Sequence, residues 1–223
     1  MASPLVPRSE LTTEHWAQLR RDGFLAVQGA IDGEGIDALK SAIREWQERD
    51  APDVRAQHAR LHDTKTVASF GLEPDPEALV SALRALLVTL TGERWTPRGS
   101  RIVFKRAVGD KGAPWHQDWH YHRGAHRYRV WIPLHAMSVS SGCLRVIPGS
   151  QSEALPHVPA IGTGWRLKIK RPQEELDAGA VDVETALGDL VLFSDLTAHA
   201  SRPNGAAADL WAITCDLQQD VAA

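Results

Sequence analysis

Trp115-His116-Gln117-Asp118-Trp119 contains a His-x-Asp pair, and His199 follows the aspartate by 81 residues. On an extended strand, side chains two positions apart share a face, so His116 and Asp118 can hold one ion together. A distant histidine completes a 2-His-1-carboxylate facial triad. That donor set grips Fe(II) by three corners and leaves the remaining positions open for oxygen and substrate. The residue types predict an oxygen-using iron enzyme rather than a binding module. A straight strand would also bring His120 and His122 to the same face, as a His-x-His pair of the cupin kind. That arrangement needs a glutamate a few residues later, and Arg123-Gly124-Ala125-His126-Arg127 has none. The two are read as groups behind the ligands or facing substrate, with plain surface histidines as the alternative. His58 and His62, four residues apart, lack a third donor nearby and are expected on a solvated face.

Several signals describe the elements that must position these residues. Thr12 or Thr13 can cap a short helix carrying Trp16 and Leu19, closed by Gly23, before a strand at 24–27. Ile36, Leu39, Ile43 and Trp46 form an amphipathic stripe. Asp75-Pro76 opens another helix, with Leu79, Leu83, Leu86 and Leu90 before Gly92. From Arg101 the chain reads as short β runs at 101–107, 113–120, 128–135, 143–148, 190–194, 198–202 and 210–217. Gly112-Ala113-Pro114 is a turn that delivers the His116 strand, and Gly188 to Phe193 announces a strand shortly before His199. Helices first and strands later predict one domain over residues 1–223, mainly β, an antiparallel double sheet buttressed by helices. Residues 151–180 are expected to form a lid or long loop.

Composition narrows the function classes. A chain of 223 residues with 43% hydrophobic and 24% charged residues supports one sizeable core. A net charge of −3 argues against nucleic-acid or membrane-surface binding. Cys143 and Cys215 lie in apolar, strand-like surroundings, which predicts free thiols and a reducing cytoplasm. No apolar stretch approaches the roughly 18 residues of a membrane span, and no signal sequence is evident. A soluble cytoplasmic protein is expected. Of the eight tryptophans, Trp115, Trp119 and Trp131 surround the candidate ligands and serve either as core or as pocket wall.

The chain resembles the phytanoyl-CoA dioxygenase-like Fe(II)/2-oxoglutarate oxygenases. The likeness runs from Leu11-Thr12 through Asp22-Gly23-Phe24, and on through Trp115-His116-Gln117-Asp118 and Val130-Trp131-Ile132-Pro133-Leu134. It continues from Ser141 to Ser150 and ends with Gly188-Asp189 and His199-Ala200-Ser201-Arg202-Pro203-Asn204. The resemblance implies a double-stranded β-helix with His116, Asp118 and His199 as iron ligands. It also implies 2-oxoglutarate and O2 as cosubstrates and Trp131 in the cosubstrate pocket. The activity implied is hydroxylation, desaturation or ring formation on a small organic metabolite, in keeping with a specialised biosynthetic role. Related halogenases vacate the carboxylate position for a halide, so Asp118 points to oxygenation.

One departure stands out. The family places an arginine about ten residues after the distal histidine to pair with the far carboxylate of 2-oxoglutarate, the ligand that a bidentate guanidinium suits best. Here that region reads Gly205-Ala206-Ala207-Ala208-Asp209-Leu210-Trp211. Arg129 is the first candidate to replace it, and Lys105, Arg202, Arg101 and Lys65 are the others. The alternative function is a metal-binding relative that does not turn over 2-oxoglutarate, either a non-redox isomerase or cyclase or a non-catalytic binding protein.

Overall fold

The computed structural model describes residues 11–49, 65–66 and 76–220. Helix α1 (Thr13–Asp22) is capped as its sequence predicts: the Thr12 hydroxyl accepts the His15 backbone N–H, and Gly23 closes the helix at φ 80°. Strand β1 (Phe24–Val27), helix α2 (Gly33–Arg49), the short β2 (Lys65–Thr66) and helix α3 (Pro76–Thr91) follow. The remaining chain is mostly strand: β3 (Trp95–Lys105), β4 (Ala113–His116), β5 (Arg127–Pro133), β6 (Leu144–Val146), β7 (His157–Pro159), β8 (Leu167–Ile169), β9 (Val181–Val183), β10 (Leu190–Ser194), β11 (His199–Ser201) and β12 (Leu210–Gln219). A short helix α4 (Trp119–His122) follows β4, and α5 (Gln173–Ala178) precedes β9.

Two antiparallel sheets face each other, one ordered β1-β10-β5-β12-β3-β2 and the other β4-β11-β6-β9. This is a double-stranded β-helix, the expected jelly roll. Alternation along the strands divides the larger sheet cleanly. Tyr128, Val130 and Ile132 of β5, with Ile213 and Leu217 of β12, pack outward against Ile36, Leu39, Ile43, Leu83 and Leu87 of the helices. Trp131, Val191, Phe193, Leu210 and Ala212 point the other way, into the barrel. Both cysteines are buried and free. Among the described residues no helix is long and apolar enough to cross a membrane.

Three features differ from the sequence expectation. The strand expected over 113–120 stops at His116, because Asp118 takes helical dihedrals (φ −67°, ψ −28°) and starts α4. The Trp119 backbone N–H then bonds the Asp195 carbonyl at 3.0 Å, so His120 and His122 leave the triad's face. Residues 151–180 are not a plain loop but hold the β7–β8 hairpin and α5. The strand read from Arg101 begins at Trp95, whose buried indole belongs to the helix-side core. The His58 and His62 pair and Asp75 lie outside the described residues.

Candidate metal centre

His116 and His199 sit opposite each other in the β4–β11 pairing, which puts their ring centroids 4.1 Å apart. The turn after β4 swings Asp118 back beneath them. One ligand atom from each of the three buried residues lies within 4.8 Å of the others. Each imidazole is held by its far nitrogen. His116 Nδ1 is 2.8 Å from the Pro114 carbonyl, and His199 Nδ1 is 2.9 Å from the Thr197 carbonyl. A carbonyl accepts only, so Nδ1 carries the proton and Nε2 presents a lone pair. Both Nε2 atoms stand 3.5 Å from the Asp118 carboxylate. Two lone pairs and a carboxylate converging in a buried space repel one another unless a cation sits among them. The donor set fits Fe(II).

Electrostatics reinforce this reading. Burial disfavours ionised Asp118, but Arg129 above all, then His199 and His116, outweighs it and holds the carboxyl well below the usual range. Burial, reinforced by His116, pushes His199 down to about 3, so the ring stays neutral and ready to bind. Gln117, between the ligands, points away from the metal and is fully buried. Its amide donates to the Glu153 and Leu196 carbonyls and accepts the Leu155 N–H, fastening the ligand turn to the 150–155 segment.

His157 supports the same turn from above, its Nε2 accepting the Gln117 backbone N–H at 3.0 Å. Burial, aided by His120 and His116, lowers its pKa to about 4. A depressed histidine pKa gives stability that is complete above the ordinary value of about 6.5 and is lost as pH falls toward the folded one. The melting temperature of the metal-free protein is therefore expected to drop between about pH 6.5 and 4, and less steeply in His157→Gln. Identical profiles for the two proteins would show that His157 does not stay neutral in the fold.

The replacement candidates separate clearly. Arg129 faces the metal site, but its Nε and Nη2 grip Asp216 at 2.7 and 3.1 Å, and its Nη1 meets Asp118 at 2.7 Å. Both edges are taken by carboxylates. Arg202 follows Ser201 and so falls on the opposite face of its strand, bidentate to Asp182 in a separate cavity. That placement corrects its assignment to the cosubstrate pocket. Lys105 and Trp131 line one solvent-open cavity with His116 and His199. The lysine ammonium reaches Ser201 Oγ at 3.1 Å, the Arg202 carbonyl at 2.9 Å and Asp110 at 3.2 Å. Gly142 makes that approach possible, since a Cβ there would stand 2.6 Å from Lys105 Cε. The Lys65 side chain lies outside the described residues.

Other expectations shift with the turn at Asp118. His122 and His126 pair with Asp195 at 3.1 and 2.8 Å, and the His120 ring packs on His157 at 3.8 Å between centroids. The basic segment 120–129 is thus largely answered within the protein. Trp115 is core, its indole N–H donating to Asp177 on the far side of the small sheet. Trp165, in the β7–β8 loop and 4.7 Å from the His116 ring, joins Trp131 in the aromatic wall near the ligands. Sequence reasoning missed Trp165, Asp195 and Asp216. Only Asp216 left a signal, as a charged residue at an inward position of the last strand.

A family model for phytanoyl-CoA dioxygenase (PhyH) matches residues 19–209. The chain belongs to this family. No curated protein sequence matches the PhyH-family chain. Among solved structures it resembles EvdO2 from Micromonospora carbonacea var. aurantiaca complexed with 2-oxoglutarate, at 18% identity and TM-score 0.77, covering 97% of this chain and 94% of that one. It resembles the non-heme alpha ketoglutarate dependent carbocyclase SnoK from nogalamycin biosynthesis at 17% identity and TM-score 0.72, over 96% and 86% of the two chains. The epimerase SnoN, in complex with Fe3+, alpha ketoglutarate and nogalamycin RO, matches at 18% identity and TM-score 0.68, over 92% and 82%. These likenesses establish the shared fold.

Proposed function

We propose that this PhyH-family protein is an Fe(II)- and 2-oxoglutarate-dependent oxygenase that oxidises a small organic molecule. The observation that carries the reading is the convergence of three metal donors, from His116, Asp118 and His199, beside a cavity that a buried lysine also lines. When bound, iron supplies the oxygen chemistry, coupling substrate oxidation to decarboxylation of 2-oxoglutarate. The protein's part is to hold and orient. The Pro114 and Thr197 carbonyls fix the two imidazoles, and Arg129 fixes one carboxylate oxygen of Asp118.

Lys105 and Ser201 are assigned to the far carboxylate of 2-oxoglutarate. Ser201 Oγ accepts N–H bonds from Lys105 and Ala113, both at 3.1 Å, which turns its own O–H into a donor for the cavity. Burial lowers the Lys105 pKa and Asp110 opposes the shift, keeping an ammonium behind that hydroxyl. A charge-assisted bond of this kind is worth about 1.5–3 kcal/mol, so Lys105→Met is expected to weaken 2-oxoglutarate binding by about 10- to 100-fold. Ser201→Ala, which leaves the Lys105–Asp110 pair intact, should weaken it less. Anaerobic titration of the Fe(II) protein, followed by the visible band of the chelate, measures both. Unchanged affinity in the two variants would remove the pair from the role.

A second reading has one observation in its favour. Leu210, in the region where the family carries arginine, sits in an apolar cluster with Trp131, Leu144 and Val191. On that reading the chain binds metal without turning over 2-oxoglutarate, as an isomerase, a cyclase or a binding protein. Oxygen uptake that depends on 2-oxoglutarate decides for the oxygenase.

A further inference from the structure

The inner face of β3 carries two cations into the metal cavity, Arg101 and Lys105. Four residues along a strand separate their backbones by about 13 Å. Their side chains also part, Lys105 toward Ser201 and Asp110, and Arg101 toward Asp216, so one carboxylate is met by one of these groups. With Lys105 assigned to the cosubstrate, Arg101 is left to a different ligand.

Its surroundings suit that role. The Lys105 side chain is 4% exposed and that of Arg101 43%, so Arg101 marks the solvent end of the cavity, where a substrate enters. Among the described residues its one acidic neighbour is Asp216, with Nη2 to Oδ2 at 3.8 Å, beyond hydrogen-bonding length. Asp216 turns both its oxygens to the N–H bonds of Arg129 and holds Arg101 only at that longer range. The Arg101 guanidinium thus lines the cavity with hydrogen-bonding capacity in hand. Trp165, which lines the same cavity against His116, adds an apolar face.

We propose that the substrate is an organic anion whose carboxylate, phosphate or sulfate docks on Arg101 while its apolar body lies along Trp165. Arginine is the side chain best matched to such groups, since its planar fork offers two parallel N–H bonds. The proposal rests on the cosubstrate reading above.

The test uses anaerobic protein loaded with Fe(II) and 2-oxoglutarate, titrated calorimetrically with 2-naphthoate and with 2-naphthamide. These probes share a flat apolar body and differ in charge. The wild type is expected to bind the carboxylate about ten-fold or more tightly than the amide. Arg101→Gln should erase that preference without altering 2-oxoglutarate affinity, and Arg101→Lys should retain part of it. Arg101→Gln leaves no buried charge unpaired, because Asp216 keeps Arg129. No preference in the wild type, whether both probes bind or neither does, overturns the proposal. So does a preference that survives in Arg101→Gln. If the wild type fails to show the 2-oxoglutarate band at all, the cosubstrate reading falls first and the proposal with it.

Discussion

Asp118→Ala is expected to abolish stoichiometric iron binding and with it all turnover. The three donors act as one unit: the His116 and His199 rings face each other, and Asp118 supplies the only negative charge among the ligands. Without it, and with no halide supplied to fill its place, two imidazoles remain to hold a labile ferrous ion against water. The fold should survive, since Arg129 keeps its paired bonds to Asp216. Asp118→Asn makes a sharper control because it preserves shape and removes only charge. Colorimetric iron content should fall from one per chain to none in both variants. A ligand at 100 times its Kd stabilises a fold by about 2.7 kcal/mol, so added Fe(II) should raise the melting temperature of the wild type and leave both variants unmoved. One iron per chain in Asp118→Asn, with unchanged affinity, would sink the triad.

The architecture was legible because alternation and periodicity decided it. Helical stripes at Ile36, Leu39 and Ile43 became the layer that covers the outer face of the large sheet, as an apolar stripe must. The triad was legible because a His-x-Asp pair needs only one partner strand, and the β4–β11 pairing supplies His199. What escaped notice depends on tertiary geometry. The α4 turn is nonlocal in origin, since the Asp195 carbonyl captures the Trp119 N–H and takes the chain out of the sheet. His120 and His122 changed partners as a result. Arg129 was correctly placed beside the site, yet its sequence neighbours could not reveal Asp216, 87 residues away, which claims its guanidinium. Arg202 failed for a simpler reason, being one residue out of phase with the inward face that Ser201 occupies.

The distinction between an anchoring and a positioning Arg129 has a large energetic signature. Its guanidinium lies between two buried carboxylates, Asp118 and Asp216, and is itself largely covered. Removing the middle of a buried ion chain leaves uncompensated charge, at a cost of about 3–5 kcal/mol. Arg129→Met, similar in length but neutral, is expected to lose that much stability in urea unfolding of the metal-free protein at neutral pH. The pH dependence should change as well. In the wild type Asp118 is held below the usual carboxylate range, mainly by Arg129 against the opposing effect of burial. The stability this confers is present above the ordinary carboxylate pKa and is lost as pH falls toward the folded value. In Arg129→Met burial acts without its main opponent, so acidification to about pH 5 should relieve strain rather than add to it. Adding Asp216→Leu to Arg129→Met should recover part of the loss, because it withdraws one of the two stranded carboxylates. If Arg129→Met were as stable as the wild type but bound 2-oxoglutarate more than ten-fold less tightly, Arg129 would be the cosubstrate anchor and Lys105 would lose that role.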